Sequence, residues 1–156
     1  GPNVFKGYWG MPEKTAEELR ENGFFITGDL GTIGEDGYVS LVGRSKDLII
    51  SGGYNIYPKE IELLLDSIEG VFESAVIGVP HPDLGEAVVA VIVTESGISL
   101  NQESIMDPMQ NRIARFKHPK QIFFIDELPR NSMGKVQKNV LRESYPDIFN
   151  NKTDTE

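Results

Sequence analysis

The sequence predicts an α+β fold: a small domain of order β-α-β-β-α-β with a final helix, preceded by a strand-rich stretch that cannot complete a core alone. Three observations predict it. Short segments rich in valine, isoleucine and alanine mark strands. Segments with apolar residues at helical spacing lie between them. Glycine and proline punctuate the junctions. With 156 residues, 39% hydrophobic and 25% charged, the composition is that of an ordinary globular chain.

Glu13 to Asn22 reads as a short helix, stopped by Asn22-Gly23. Leu30 to Ile33 and Tyr38 to Val42 flank the turn Gly34-Glu35-Asp36-Gly37 as a β-hairpin. The apolar strand faces of residues 1–43 need a sheet or barrel that this stretch does not supply. From Lys46 the pattern becomes self-sufficient. Asp47 to Ile50 is a predicted strand, broken by Ser51-Gly52-Gly53. Pro58 takes the helix-opening position, with Ile61, Leu64, Leu65 and Ile68 at helical spacing. Glu73 to Val79 and Glu86 to Thr94 are strands joined by the turn Pro80 to Gly85. Asn101 to Phe116 is a second helix, in which Pro108 forces a kink or a late start. Ile122 to Ile125 is a fourth strand, and Val136 to Glu143 a closing helix. This order is the ferredoxin-like, split-βαβ signature. Three divisions follow: 1–45, 46–145, and a polar tail 146–156 expected to fray.

The net charge is −9 and the pI about 4.7. Nucleic acid is an unsuitable partner, because phosphate binding needs a basic footprint. An anionic membrane surface is unsuitable for the same reason. No cysteine is present, which excludes a thiolate nucleophile and fits a reducing compartment. Residues 1–20 hold no unbroken apolar run of signal-peptide type. The longest apolar run, Ala87 to Val93, is far too short to span a bilayer. A soluble, cytoplasmic chain is the expectation. His81 and His118 are isolated, beside prolines, and make no metal site.

Three constellations carry possible chemistry. The first is Pro129-Arg130-Asn131-Ser132-Met133-Gly134-Lys135. A lysine after glycine, in a polar loop between strand and helix, has the reach and freedom to meet a phosphate or carboxylate. Taken alone, such a lysine is usually solvated and idle. The second is Gly43-Arg44-Ser45-Lys46-Asp47 followed by Ser51-Gly52-Gly53-Tyr54-Asn55. It joins the unpartnered hairpin to the self-sufficient domain, which is the placement of a hinge. Three small residues in a row admit close approach of another chain, although a surface hairpin with a glycine turn explains them equally well. The third is Thr27-Gly28-Asp29. A carboxylate there suits the vicinal hydroxyls of a ribose, or simply caps the following turn.

In this order, and with Ile56-Tyr57-Pro58-Lys59-Glu60-Ile61-Glu62 after the second, the motifs resemble the adenylate-forming (AMP-binding) superfamily. Acyl-CoA synthetases, peptide-synthetase adenylation domains and luciferases share that arrangement. The resemblance runs from Gly1 to about Tyr145. Gly1 to Trp9 and Val136 to Glu143 resemble the malonyl-CoA synthetase subfamily in particular.

The resemblance implies an ATP-dependent acid–CoA ligase that forms an acyl-adenylate and then a thioester. It implies that Lys135 is catalytic, that Asp29 and Arg44 serve the ribose, and that Lys46 is the hinge. Gly52 and Gly53 would line the path of the CoA thiol. The implied cofactors and partners are ATP, Mg²⁺, coenzyme A and a small carboxylic acid such as malonate. Arg112, Arg115 and Lys117 are weaker candidates for the CoA phosphates. The family's phosphate-binding loop, magnesium ligands and acyl pocket are absent from these residues. Residues 1–45 are therefore expected to be the end of an N-terminal domain, 46–145 a mobile C-terminal domain, and the isolated chain inactive. Detached strands would also offer open edges for dimerisation. Two alternatives remain: a stand-alone ferredoxin-like module that binds a metabolite or dimerises, and an adenylating enzyme with a carrier-protein acceptor. Thr27-Gly28-Asp29 speaks against the first, the subfamily-like ends against the second.

Overall fold

The computed structural model describes residues 2–150. The chain divides into two compact units, Gly1–Ser45 and Lys46–Glu156.

In the first unit, helix α1 (Pro12–Glu18) opens on its proline, whose missing N–H costs nothing at a helix start. It is shorter than the sequence predicts. Leu19 is already extended and bridges Phe25, and Arg20 N–H bonds the Phe24 carbonyl at 2.8 Å. The Asn22-Gly23 turn therefore closes a small loop after the helix rather than ending it. Tyr8 donates its hydroxyl to Glu18, which raises the phenol above its usual pKa; a bond to the same carboxylate raises Lys14. Strands β1 (Asp29–Ile33) and β2 (Val39–Arg44) pair antiparallel, Asp29 opposite Arg44 and Ile33 opposite Val39. No described residue of this unit is buried, and Trp9 is 99% exposed. The hairpin is a formed element without a core.

The second unit has one. Strands β3 (Ile49–Ser51) and β4 (Tyr54–Ile56) make a short hairpin ahead of helix α2 (Pro58–Leu65). Strands β5 (Val71–His81) and β6 (Gly85–Thr94) form the long antiparallel pair, with β6 central and β5 at the edge of the sheet. Helix α3 (Gln102–Met109), strand β7 (Gln121–Phe124) and helix α4 (Lys138–Ser144) complete it. The predicted order is present, with β4 as an addition.

The strand order is β4-β3-β6-β5, and β7 lies parallel on β6, Val89 opposite Gln121 through Ile92 opposite Phe124. Strand β3 meets β6 only at Ser51–Gly85. The reason is local. Ser45–Asp47, partly expected in the first strand, is a 3-10 turn, and Asp47 pairs with Arg142 of α4 at 2.8 Å. The first strand is thereby shortened, and β7 takes the free length of β6.

Both sheet faces are covered. Ile61, Leu64 and Leu65 of α2 and Ile105 and Met109 of α3 pack with Val76, Val88, Ala90 and Ile92 on one face. Leu128 and Leu141 pack with Ala75, Ile77, Val79, Val89, Val91 and Val93 on the other. An Asn101–Ser104 capping box starts α3. The helix ends at Met109, well before Phe116. Pro108 removes a helical hydrogen bond, and the chain then turns, reaching a 3-10 turn at Arg115–Lys117. Residues 146–150 are not frayed as expected. Ile148 and Phe149 pack against the second core face, and the Phe149 ring lies 5.1 Å from that of His81. Residues 151–156 lie outside the described residues.

Candidate functional site

The loop before α4 is ordered by one side chain that the sequence reading passed over. Asn131 Oδ1 accepts the N–H groups of Met133 at 3.0 Å and Lys135 at 2.9 Å. Its backbone N–H donates to the Lys135 carbonyl, and its carbonyl accepts from Gly134 N–H. Gly134 has φ +78, the left-handed conformation that favours glycine. Arg130 and Val136 bridge at the base of the loop. Arg130 also donates to the Gly134 carbonyl at 2.7 Å and pairs with Glu73 of β5. The Lys135 backbone is thus fixed, while its exposed ammonium has no partner among the described residues. A cation held at its root and free at its tip can deliver charge to a phosphate.

In the first unit, the pairing of β1 with β2 brings Asp29 and Arg44 together. Arg44 Nε stands 2.7 Å from Asp29 Oδ1, and its Nη1 donates to the Thr27 carbonyl. Thr27 Oγ1 accepts Asp29 N–H at 3.1 Å, and Ser45 N–H and Oγ both bond the Gly28 carbonyl. Asp29 Oδ2 has no partner among the described residues. One carboxylate oxygen is anchored by arginine, and the other remains an acceptor suited to a diol.

Gly52 and Gly53 form the tip of the β3–β4 hairpin, with φ +56 and +82. This suits a type I′ turn, which requires positive φ at both central residues. An added Cβ at Gly53 meets nothing within 4 Å, and one at Gly52 meets Leu84 at 3.5 Å. Within this chain, the backbone conformation rather than lack of space demands glycine. Gly52→Ala is expected to lower stability by about 1 kcal/mol, and Gly52→Asn by less, as read from urea midpoints.

Lys46 lies in the 3-10 turn, exposed, at the first position of the second unit. Lys117 is paired with Glu60 at 2.7 Å, and Arg112 donates to Ser67 Oγ. Arg115, in contrast, has no ion pair among the described residues. Among the described residues no group of three or more His, Cys, Asp or Glu is placed to hold a metal ion. No helix among the described residues is long and apolar enough to cross a membrane.

The family sequence model described as AMP-binding enzyme C-terminal domain matches residues 60–135. A feruloyl-CoA synthase from Amycolatopsis is 47% identical over 145 residues, which cover 93% of this chain and 29% of that protein. A 2-succinylbenzoate–CoA ligase from Geobacillus is 44% identical over 150 residues, covering 96% and 30%. The crystal structure of ATP-bound MatB from Rhodopseudomonas palustris superposes with TM-score 0.87 at 60% identity, covering 96% of this chain and 30% of that one. The chain spans 28–30% of the length of these curated relatives and their neighbours in similarity.

Proposed function

We propose that this chain, matched over residues 60–135 by the AMP-binding enzyme C-terminal domain model, is the C-terminal portion of an AMP-forming carboxylic acid–CoA ligase acting on malonate or methylmalonate. The observation that carries the reading is Lys135, anchored through its backbone and free at its ammonium. In the first half-reaction, a carboxylate oxygen of the acid bonds to the α-phosphorus of ATP as the bond to pyrophosphate breaks. The acid is already ionised at neutral pH, so no general base is needed. The developing negative charge at the α-phosphate needs a cation, which is the role of Lys135. Asp29, steadied by Arg44, accepts the ribose hydroxyls.

In the second half-reaction, the CoA sulfur, its proton lost, bonds to the acyl carbon. AMP leaves with the oxygen that bridged it to the acid. Rotation about Lys46 withdraws Lys135 and brings the Gly52–Gly53 hairpin to the thiol's path. Support for CoA as acceptor comes from the names of the feruloyl and succinylbenzoyl relatives. Support for malonate comes from the resemblance of Gly1–Trp9 and Val136–Glu143 to malonyl-CoA synthetases. The N-terminal domain of the same protein supplies the rest of the site. Under this reading the enzyme works in the cytoplasm, where ATP and CoA are drawn on.

The test is AMP release with ATP and CoA, by the full-length protein and by residues 1–156 alone. The acids are malonate, methylmalonate, acetate and a long-chain acid. The full-length protein is expected to favour malonate or methylmalonate, and the isolated chain to release none. Release by the isolated chain above a no-enzyme control would overturn the division of labour. Preference for acetate or the long-chain acid would overturn the substrate assignment.

A further inference from the structure

We infer that Glu73 and Arg130 are positioning residues for Lys135, an inference that rests on the catalytic reading of that lysine and deepens it. The peptide unit joining Gly134 to Lys135 has both of its polar groups held by side chains. Its carbonyl accepts from Arg130 Nη1 at 2.7 Å, and its N–H donates to Asn131 Oδ1 at 2.9 Å. This unit follows a glycine at φ +78, whose backbone is conformationally permissive, so the two hydrogen bonds hold its orientation. A different orientation would change the direction in which Lys135 leaves the backbone.

Arg130 is itself aimed. Its Nη2 pairs with the Glu73 carboxylate, so a single planar guanidinium spans the central sheet and the catalytic loop. Only arginine has that fork; a lysine ammonium makes point contacts. Glu73 lies where the β5–β6 register shifts between Val71 and Glu73, and bulges of this kind redirect a side chain. The lysine's root is thus referred to a long strand of the sheet rather than to the loop alone.

The experiment uses the full-length enzyme and reads the half-reactions separately: pyrophosphate release with ATP and acid, and thioester formation from supplied acyl-adenylate and CoA. Arg130→Lys and Glu73→Gln are expected to slow pyrophosphate release about tenfold or more at saturating ATP, with thioester formation within about twofold of wild type. The exchanged pair Glu73→Arg with Arg130→Glu restores the ion pair but leaves no donor for the Gly134 carbonyl. It is expected to recover the thermal midpoint and not the adenylation rate. Full recovery of adenylation in the exchanged pair, or equal losses in both half-reactions, would reduce the pair to a structural tie and overturn the inference. Lys135→Ala separates the two readings. Wild-type adenylation in that variant would overturn the catalytic assignment together with this one. Loss in Lys135→Ala beside normal rates in Arg130→Lys and Glu73→Gln would overturn this one alone.

Discussion

Under the proposed ligase reading, Lys135→Ala in the full-length protein is expected to slow adenylate formation by about 10²–10³-fold, the usual cost of removing one preorganised charge at a transition state. The ammonium has no partner among the described residues, so no internal ion pair must break before it meets the α-phosphate. Its backbone is already fixed by Asn131, so little ordering entropy is lost on meeting it. The loss should fall on turnover of the first half-reaction. Thioester formation from supplied acyl-adenylate needs no cation at the α-phosphate, because no bond to phosphorus is made in it. Stopped assays of pyrophosphate and thioester check both. Comparable losses in the two would assign Lys135 a general binding role instead.

The largest expected effect on stability belongs to another lysine, three positions along. Lys138 Nζ stands 2.6 Å from Glu62 Oε1, with side-chain exposures of 17% and 9%, and the same oxygen accepts Val76 N–H at 3.0 Å. Lys138→Met leaves a carboxylate charged and enclosed, with one backbone donor as its remaining partner. Breaking a buried pair from one side costs about 3–5 kcal/mol. Since neither group is wholly enclosed, about 3 kcal/mol is expected, read as a fall in the urea midpoint at unchanged slope. Adding Glu62→Gln removes the charge while keeping an oxygen for Val76 N–H. This double variant is expected to recover most of the loss. If the single and double variants are equally unstable, the loss comes from the lysine's methylene packing rather than from the stranded charge.

The parts legible in the sequence were those written locally. Pro58 opens α2, and Ile61, Leu64 and Leu65 are its buried face. The Thr27-Gly28-Asp29 and Gly43-Arg44-Ser45 motifs point to one place because two strands with a short turn must pair, and they do. What escaped depends on distant partners or on competition between signals. Glu73 and Arg130 are 57 positions apart, and neither segment advertises the other. Ile113 and Phe116 continue a helical period past Pro108, yet Ile113 reaches the core from an irregular segment. Tyr54-Asn55-Ile56 is too short for alternation to reveal β4. Ile148 and Phe149 were masked by the polar residues around them, although two apolar side chains suffice to tie down a chain end.

Strand β6 poses an informational difficulty of its own. Val88 to Val93 are each 6% exposed or less, alternating between the two core faces. In a sheet wetted on one side, slipping by one residue turns oily groups outward and is rejected at once. Here a slipped strand would present one apolar side chain in place of another, and polarity alone could not detect the error. The discriminating mark is Glu86. Its carboxylate lies so close over Gly78 that any Cβ there would meet it at 2.7 Å, and it also accepts Ile50 N–H at 2.8 Å. One charged residue at the strand's entrance acts as a punctuation mark for an otherwise repetitive message.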